Sequence, residues 1–267
     1  MKKVIIIGGD DRLKTVEKHL RDNGFSVSTL GLYQNDSGDI SSADIIILPV
    51  PTTKDKATVF TPLTGRRIPL SEIKERLTPE KTVLCCNYYF ENCNCTDYNK
   101  LDSYALLNAV PTAEGAIKLC IENTPFTLWD ARVLVIGCGR VGKVLANRLR
   151  GLGANVTVSA RKLSDFALIK AIGFNAVNTN LLNDRPLEFD VIFNTVDFYV
   201  LNNESFENTP CKCIIDLSSK GGFSIDAAKK CGITAIKAPG LPGITAPHTA
   251  GKILAETVIK LIVSNQE

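Results

Sequence analysis

Short apolar, β-rich runs alternate with stretches of helical period along this chain, and the alternation begins twice, at Val4 and again at Arg132. Such alternation marks a parallel sheet covered on both faces, because consecutive parallel strands need a crossover that a helix supplies. In the first series, Val4 to Ile7 ends in Gly8-Gly9, and Leu13, Val16 and Leu20 follow at helical spacing before Asn23-Gly24. Strands are expected next at 26–30, 44–48, 82–86 and 103–107. Thr52 to Arg67 is a polar loop too long for a simple connection, and such loops often carry function. Pro111 and Thr112 can open a helix, with Ala113, Ile117, Cys120 and Ile121 on one face. The second series places strands at 132–136, 156–159, 191–194, 213–216 and 234–238. Ala250, Ile253, Leu254, Val258 and Leu261 then recur at helical period. The expected fold is α/β, with two doubly wound, Rossmann-like parallel-sheet domains and a cleft between them. The first covers 1–124, with a C-terminal helix at 246–267 packing back on it, and the second covers 125–245.

The length of 267 residues and 45% hydrophobic content suffice for two cores. The net charge of +3 is spread without a Lys/Arg block, so neither nucleic acid nor an anionic membrane is an expected partner, while small anions are. The apolar runs fall far short of the roughly eighteen residues that span a bilayer. Met1-Lys2-Lys3 leads straight into a strand, and a cytoplasmic location is expected. Nine cysteines, an odd number, read as free thiols in a reducing compartment. The densest group, Cys85, Cys86, Cys93 and Cys95, has CC and CxC spacing and no nearby histidine, so no metal site is expected.

The strongest functional signal is Gly137-Cys138-Gly139-Arg140-Val141-Gly142, which follows the apolar run Val133 to Ile136 and opens a helix carrying Val144, Leu145 and Leu149. In that context Gly137 permits the tight turn, Gly139 lets a pyrophosphate approach, and Gly142 lets the helix pack on the strand. The amides that begin the helix, at Gly139, Arg140 and Val141, would then face phosphate. Gly8-Gly9-Asp10-Asp11-Arg12 lacks the third glycine and puts carboxylates where phosphate would lie, so Asp10 or Asp11 reads as a helix cap there. An NAD enzyme offers an acid at the end of the second strand of such a domain. This chain has Ser159-Ala160-Arg161-Lys162, and Ser159 with Arg161 suits the 2′-phosphate of NADP better, with NAD the lesser choice. Asn194 and Thr195, at the end of the strand at 191–194, and Asp216, at the end of the strand at 213–216, complete the expected coenzyme contacts.

Beyond the turn, several segments resemble the A subunits of dipicolinate synthases over essentially the whole chain. They are Gly8-Gly9-Asp10, Leu48-Pro49-Val50-Pro51, Asn108-Ala109-Val110-Pro111-Thr112-Ala113-Glu114-Gly115, Asp216-Leu217-Ser218-Ser219-Lys220-Gly221-Gly222 and Ala238-Pro239-Gly240-Leu241-Pro242-Gly243. The resemblance implies NAD(P)-linked oxidation of a dihydrodipicolinate to pyridine-2,6-dicarboxylate, partnership with a flavoprotein-like B subunit, and a role in endospore formation. Holding such a dicarboxylate needs cations and donors. Candidates are Lys220, Arg12 with Asp10, Thr52 and Thr53 of the long loop, and the expected helix start at Thr112, Ala113 and Glu114. Pro247-His248-Thr249-Ala250-Gly251 also resembles the catalytic-histidine segment of D-2-hydroxyacid dehydrogenases, which makes His248 a candidate for proton transfer. That family's arginine position holds Lys220 here, and no matching glutamate is evident. The alternatives are therefore a 2-hydroxyacid reductase and a non-catalytic NADP(H)-binding subunit, with self-assembly left open.

Overall fold

The computed structural model describes residues 2–184 and 186–264. The chain forms two compact units, Met1–Asn108 with Pro242–Glu267, and Ala109–Leu241.

The first unit is built on a five-stranded parallel sheet in the order β2-β1-β3-β4-β5, from β1 (Lys3–Ile7), β2 (Ser26–Leu30), β3 (Ile45–Ile47), β4 (Thr82–Cys85) and β5 (Asn94–Asp97). Val4 to Ile7 are buried on alternate faces: Val4 and Ile6 pack with Leu13 and Leu20, and Ile5 and Ile7 with Ile46 and Val83. A parallel strand covered on both sides reads as an unbroken apolar run for this reason. Helix α1 (Asp11–Asp22) is capped by Asp10, whose carboxylate accepts from the Arg12 amide, and α2 (Leu70–Lys74) is a short turn. Helix α8 (Pro247–Ser264) packs along α1, with Leu254, Ala255 and Val258 in the same core as Leu13 and Val16.

The second unit holds a six-stranded parallel sheet in the order β11-β10-β9-β6-β7-β8. Its strands are β6 (Arg132–Ile136), β7 (Asn155–Ala160), β8 (Asn175–Asn178), β9 (Val191–Asn194), β10 (Cys213–Asp216) and β11 (Thr234–Lys237). Helices α3 (Asp102–Glu122), α4 (Arg140–Gly151), α5 (Leu163–Ala171), α6 (Ile225–Lys230) and α7 (Leu241–Thr245) complete the chain. The strand order reverses between β6 and β9, and ligands of doubly wound sheets bind beyond the strand ends at such a point.

Three elements differ from the sequence reading. Residues 103–107 are helical, so the fifth strand of the first sheet is instead Asn94–Asp97, a polar edge paired only with β4. Helix α3 starts at Asp102 and runs through Pro111 without ending. Its first turns are held by Tyr104, buried edge-on against Tyr98 at 5.4 Å between ring centroids, while Leu106 and Leu107 face solvent. The edge strand β8 had no apolar run to announce it. The units divide at 108/109, inside α3, and at 241/242, whereas the sequence reading divides the chain at 124/125 and 245/246.

All nine cysteines are free, and Cys85 and Cys86 are buried at the end of β4. Among the described residues no three His, Cys, Asp or Glu side chains are placed to hold a metal ion, and no helix is long and apolar enough to cross a membrane.

The α1–α8 contact is close enough to test. A Cβ on Gly251 would lie 2.6 Å from Thr15 Cβ and 2.7 Å from the Arg12 carbonyl oxygen. In an open helix Gly→Ala stabilises by about 1 kcal/mol. Here overpacking reverses the sign, and Gly251→Ala is expected to cost about 1–3 kcal/mol in urea unfolding. A stabilised variant would show that the two helices lie farther apart.

Candidate coenzyme and substrate sites

Val133 to Ile136 run buried through the middle of the second sheet and deliver the chain to Gly137, whose amide donates to the Ser159 carbonyl at 3.1 Å. Gly137 has φ +105°, and a Cβ on it would lie 2.6 Å from both Thr195 Oγ1 and Val196 Cγ1. A Cβ on Gly142 would sit 2.0 Å from the Gly137 carbonyl oxygen. The fold itself therefore requires these two glycines. Gly139 is different: it caps α4 at an ordinary φ of −78°, and beyond its two chain neighbours no atom of the described residues lies within 4 Å of where its Cβ would be. The first turn of α4 holds no acidic residue, and Gly139 and Arg140 are exposed. Open space in front of unhindered helix-start amides fits a pyrophosphate in both shape and charge.

The polar residues beside this turn take other roles than expected. Ser159 is fully buried and its hydroxyl accepts from Thr179 Oγ1 at 2.9 Å, so it faces the interior instead of a ligand phosphate. The Thr195 hydroxyl turns inward to the Ile136 carbonyl at 2.8 Å. Asn194 Nδ2 donates to Asp216 Oδ1 at 2.8 Å and to the Val196 carbonyl at 3.0 Å. Asp216, also fully buried, accepts from Ser218 Oγ at 2.6 Å, the Ser218 amide at 3.0 Å, the Gly222 amide at 3.2 Å and Lys237 Nζ at 2.9 Å. Asn194 and Asp216 are thus bonded to each other and to the loops that follow their strands. Burial pushes the Asp216 carboxyl up, but the bonds from Ser218, Asn194 and Lys237 outweigh it and hold it below the usual carboxylate range. The sequence reading missed Lys237 and Ser218, because nothing in the order of residues shows that both converge on Asp216.

This knot shapes the loop that carries Lys220. A Cβ on Gly222 would lie 2.2 Å from Asn194 Nδ2, so the loop closes tightly on β9. Asp197 Oδ1 accepts from the Ser219 amide at 2.6 Å, its hydroxyl at 2.9 Å and the Lys220 amide at 3.3 Å. Burial raises the Asp197 pKa less than these bonds lower it, and it stays ionised below the usual range. The Lys220 side chain is left exposed. Arg161, just beyond β7, is exposed too, and its guanidinium lies 4.4 Å from the centroid of the Phe198 ring. Phe198 carries no signal of this contact in the sequence, where it stands 37 positions beyond Arg161.

In the first unit, Arg12 is almost fully buried at 4% exposure and pairs twice with Asp10, Nε to Oδ1 at 2.9 Å and Nη2 to Oδ2 at 2.7 Å. Nη2 also donates to the Val50 carbonyl, and among the described residues Nη1 makes no hydrogen bond. Burial works against the charge of Arg12, yet the bonds to Asp10 outweigh it and hold its pKa above the ordinary value. Thr52 is fully buried, with its hydroxyl accepting from the Cys86 amide at 2.9 Å. Thr53 donates to Asp55 Oδ1 at 2.9 Å and accepts from the Lys56 amide at 3.0 Å, so both threonines hold the loop together. His248 is exposed in the first turn of α8, and His19 is half-buried, with Nδ1 2.8 Å from the Thr15 carbonyl oxygen.

Thr112, Ala113 and Glu114 lie in the middle of α3, where their amides belong to the helix, so no anion-binding helix start exists there. Ala113 is buried, and Glu114 pairs with Arg148 at 3.1 Å.

The sequence model for the N-terminal domain of dipicolinate synthase A subunits matches residues 3–107. The dipicolinate synthase A subunit of Bacillus subtilis strain 168 is 34% identical, over 99% of this chain and 97% of its own. The chain belongs to the dipicolinate synthase A subunits. The solved A subunit from Bacillus halodurans superimposes with a TM-score of 0.89 at 33% identity, covering 97% of each chain. Salmonella D-lactate dehydrogenase, at 15% identity and a TM-score of 0.66 over 99% of this chain and 97% of its own, shares the fold. In this member of the family the glycine turn is open, while Asn194 and Asp216 are committed to the fold.

The Asp216 knot gives a pH signature. Because its folded pKa is depressed, the carboxylate adds stability that is complete above the unfolded value of about 4 and is lost as pH falls through the folded value. A fully buried broken pair costs roughly 3–5 kcal/mol; with Lys237 a third exposed, Asp216→Asn is expected to cost about 2 kcal/mol at pH 7. Its stability should then change less than wild type between pH 5 and pH 2, roughly the span in which carboxylates titrate. Urea unfolding across that range checks both, and parallel pH profiles would place the titrating group elsewhere.

Proposed function

We propose that this chain is the NADP-dependent oxidoreductase of a dipicolinate synthase, oxidising a dihydrodipicolinate to pyridine-2,6-dicarboxylate during endospore formation. The reading places it in the cytoplasm beside a flavoprotein-like B subunit. The observation that carries it is Gly139, whose missing side chain serves no packing need of the protein and leaves room where a diphosphate would meet the amides of α4. In the proposed division of labour, 125–245 binds the coenzyme, while 1–124 with 246–267 meets the substrate.

The choice of NADP rests on the end of β7. Ala160 stands where an NAD-binding carboxylate would be, and the exposed Arg161 and Lys162 follow it. The backbone amides from Gly139 to Gly142 would hold the diphosphate, and Arg161 the 2′-phosphate, through paired donors. Bound there, the nicotinamide supplies a two-electron acceptor, and aromatisation of the substrate ring favours the reaction. The remaining task of the chain is to hold two carboxylates and take a proton. Arg12 suits one carboxylate: it is buried, charged and fixed by Asp10, with Nη1 uncommitted. His248, in the same unit as Arg12, offers a proton acceptor at the start of α8. Lys220 is an exposed cation on a fixed loop of the coenzyme-binding unit.

Calorimetric titration with NADP⁺ and NAD⁺ tests the coenzyme, and wild type is expected to prefer NADP⁺. Arg161→Ala is expected to weaken NADP⁺ at least about tenfold and leave NAD⁺ within about twofold. Equal affinities in wild type would overturn the NADP assignment. Incubation with NADP⁺ and freshly made dihydrodipicolinate precursor, with and without the B subunit, tests the reaction by pyridine absorbance. Turnover of a 2-oxoacid without pyridine formation would favour a hydroxyacid reductase. Activity only with the B subunit would make the isolated chain a binding module.

A further inference from the structure

We propose that Phe198 is a specificity-determining positioning residue, which holds the Arg161 guanidinium by one face so that its edge meets a 2′-phosphate and its other face meets adenine. The inference rests on the NADP reading above and extends it to a residue that touches neither phosphate nor chemistry.

The placement comes from the sheet. Arg161 follows β7 and Phe198 lies four residues beyond β9, and these two strands flank β6 on either side. The stack therefore spans the carboxyl end of β6, where the glycine turn begins. A free arginine on an exposed loop samples many rotamers and loses them on binding an anion. Stacking on an aromatic ring removes part of that cost beforehand.

The chemistry follows from the shape of guanidinium. Its N–H donors all lie in its plane, so covering one face with a ring consumes none of them. A carboxylate partner would have taken the same donors that a phosphate needs. Among the described residues Arg161 makes no ion pair or side-chain hydrogen bond, and its guanidinium carbon lies 4.4 Å from the Phe198 ring centroid. The arginine is thus oriented and still has its full donor set. The guanidinium carbon lies over the Phe198 ring at 4.4 Å from its centroid, too close for a base to fit between them, so adenine is assigned to the far side of the guanidinium.

The test uses the full chain and two nucleotide halves, adenosine 2′,5′-bisphosphate and 5′-AMP, with NADP⁺ and NAD⁺ in parallel. Phe198→Leu keeps an apolar side chain and removes the ring face, while Phe198→Tyr keeps the ring. The leucine variant is expected to bind the bisphosphate and NADP⁺ about three- to tenfold more weakly, with 5′-AMP and NAD⁺ changed less than about twofold. The tyrosine variant should match wild type, and thermal unfolding of each variant reports whether the fold is intact. Equal loss for all four ligands, or no loss for any, would overturn the role of Phe198. If wild type fails to distinguish bisphosphate from AMP, the NADP reading falls first and this inference with it. If Arg161→Ala abolishes the preference and Phe198→Leu does not, only the inference falls.

Discussion

The approach of helix α4 to the end of strand β6 is the constraint on which the second unit depends. A Cβ on Gly142 would lie 2.0 Å from the Gly137 carbonyl oxygen, and one on Gly137 would strike Thr195 and Val196. No rotamer change relieves a clash with backbone. With both positions bare, the chain can leave the sheet and turn at once into a helix whose first amides point beyond the strand ends. The same closeness packs Leu145, Ala146 and Leu149 of α4 into the core with Val133, Val135 and Val158. One contact sets both the packing of the unit and the direction of its helix-start amides.

A row of polar residues at the carboxyl edge of that sheet does the second part of the work. Asn194 is in register with Asp216, and Asp216 with Lys237. Buried polar groups are costly unless paired, and here each satisfies its neighbour. The result is a fixed ledge from which the Ser218–Gly222 loop rises, with Asp197 clasping the Ser219 and Lys220 amides from the other side. The exposed atoms at this edge are backbone and the Lys220 side chain, while the buried Asn194 and Asp216 hold the loop in place. A site built this way keeps its shape before any ligand arrives.

This explains what was legible in the sequence. The strands buried on both faces, β1, β6, β9 and β10, declare themselves as apolar runs, and the glycine turn declares itself because each of its positions answers a separate steric demand. The edge strands β5 and β8 do not, since a strand paired on one side needs no continuous apolar face. Pro111 misled because a proline signals a helix start locally, whereas α3 is held by packing on both sides of it, from Tyr104 to Ala116. Ser159, Asn194 and Asp216 lie at or next to strand ends, and their side chains bond within the fold, to Thr179, to each other and to Ser218. Sequence position shows that a polar side chain reaches the end of a strand; only the packing around it shows which way it turns.

The two glycine-containing strand ends differ in what occupies the start of the helix that follows. After β1, the place of a ligand is taken by the protein itself. Gly8 fits under the Phe60 carbonyl and Val59, the Gly9 amide donates to the Phe60 carbonyl at 2.8 Å, and the space beside Gly9 is filled by Leu13. Asp10 satisfies the Arg12 amide in the first turn of α1 and pairs with the Arg12 guanidinium as well. After β6, no side chain caps α4 and no atom fills the space at Gly139. Two similar strand-turn-helix units thus diverge through the Asp10 carboxylate, the loop at Val59 and Phe60, and Leu13 in the first, and the bare Gly139 in the second. In one unit the helix start is closed by its own chain and leaves a fixed cation, and in the other it stays open to an anion.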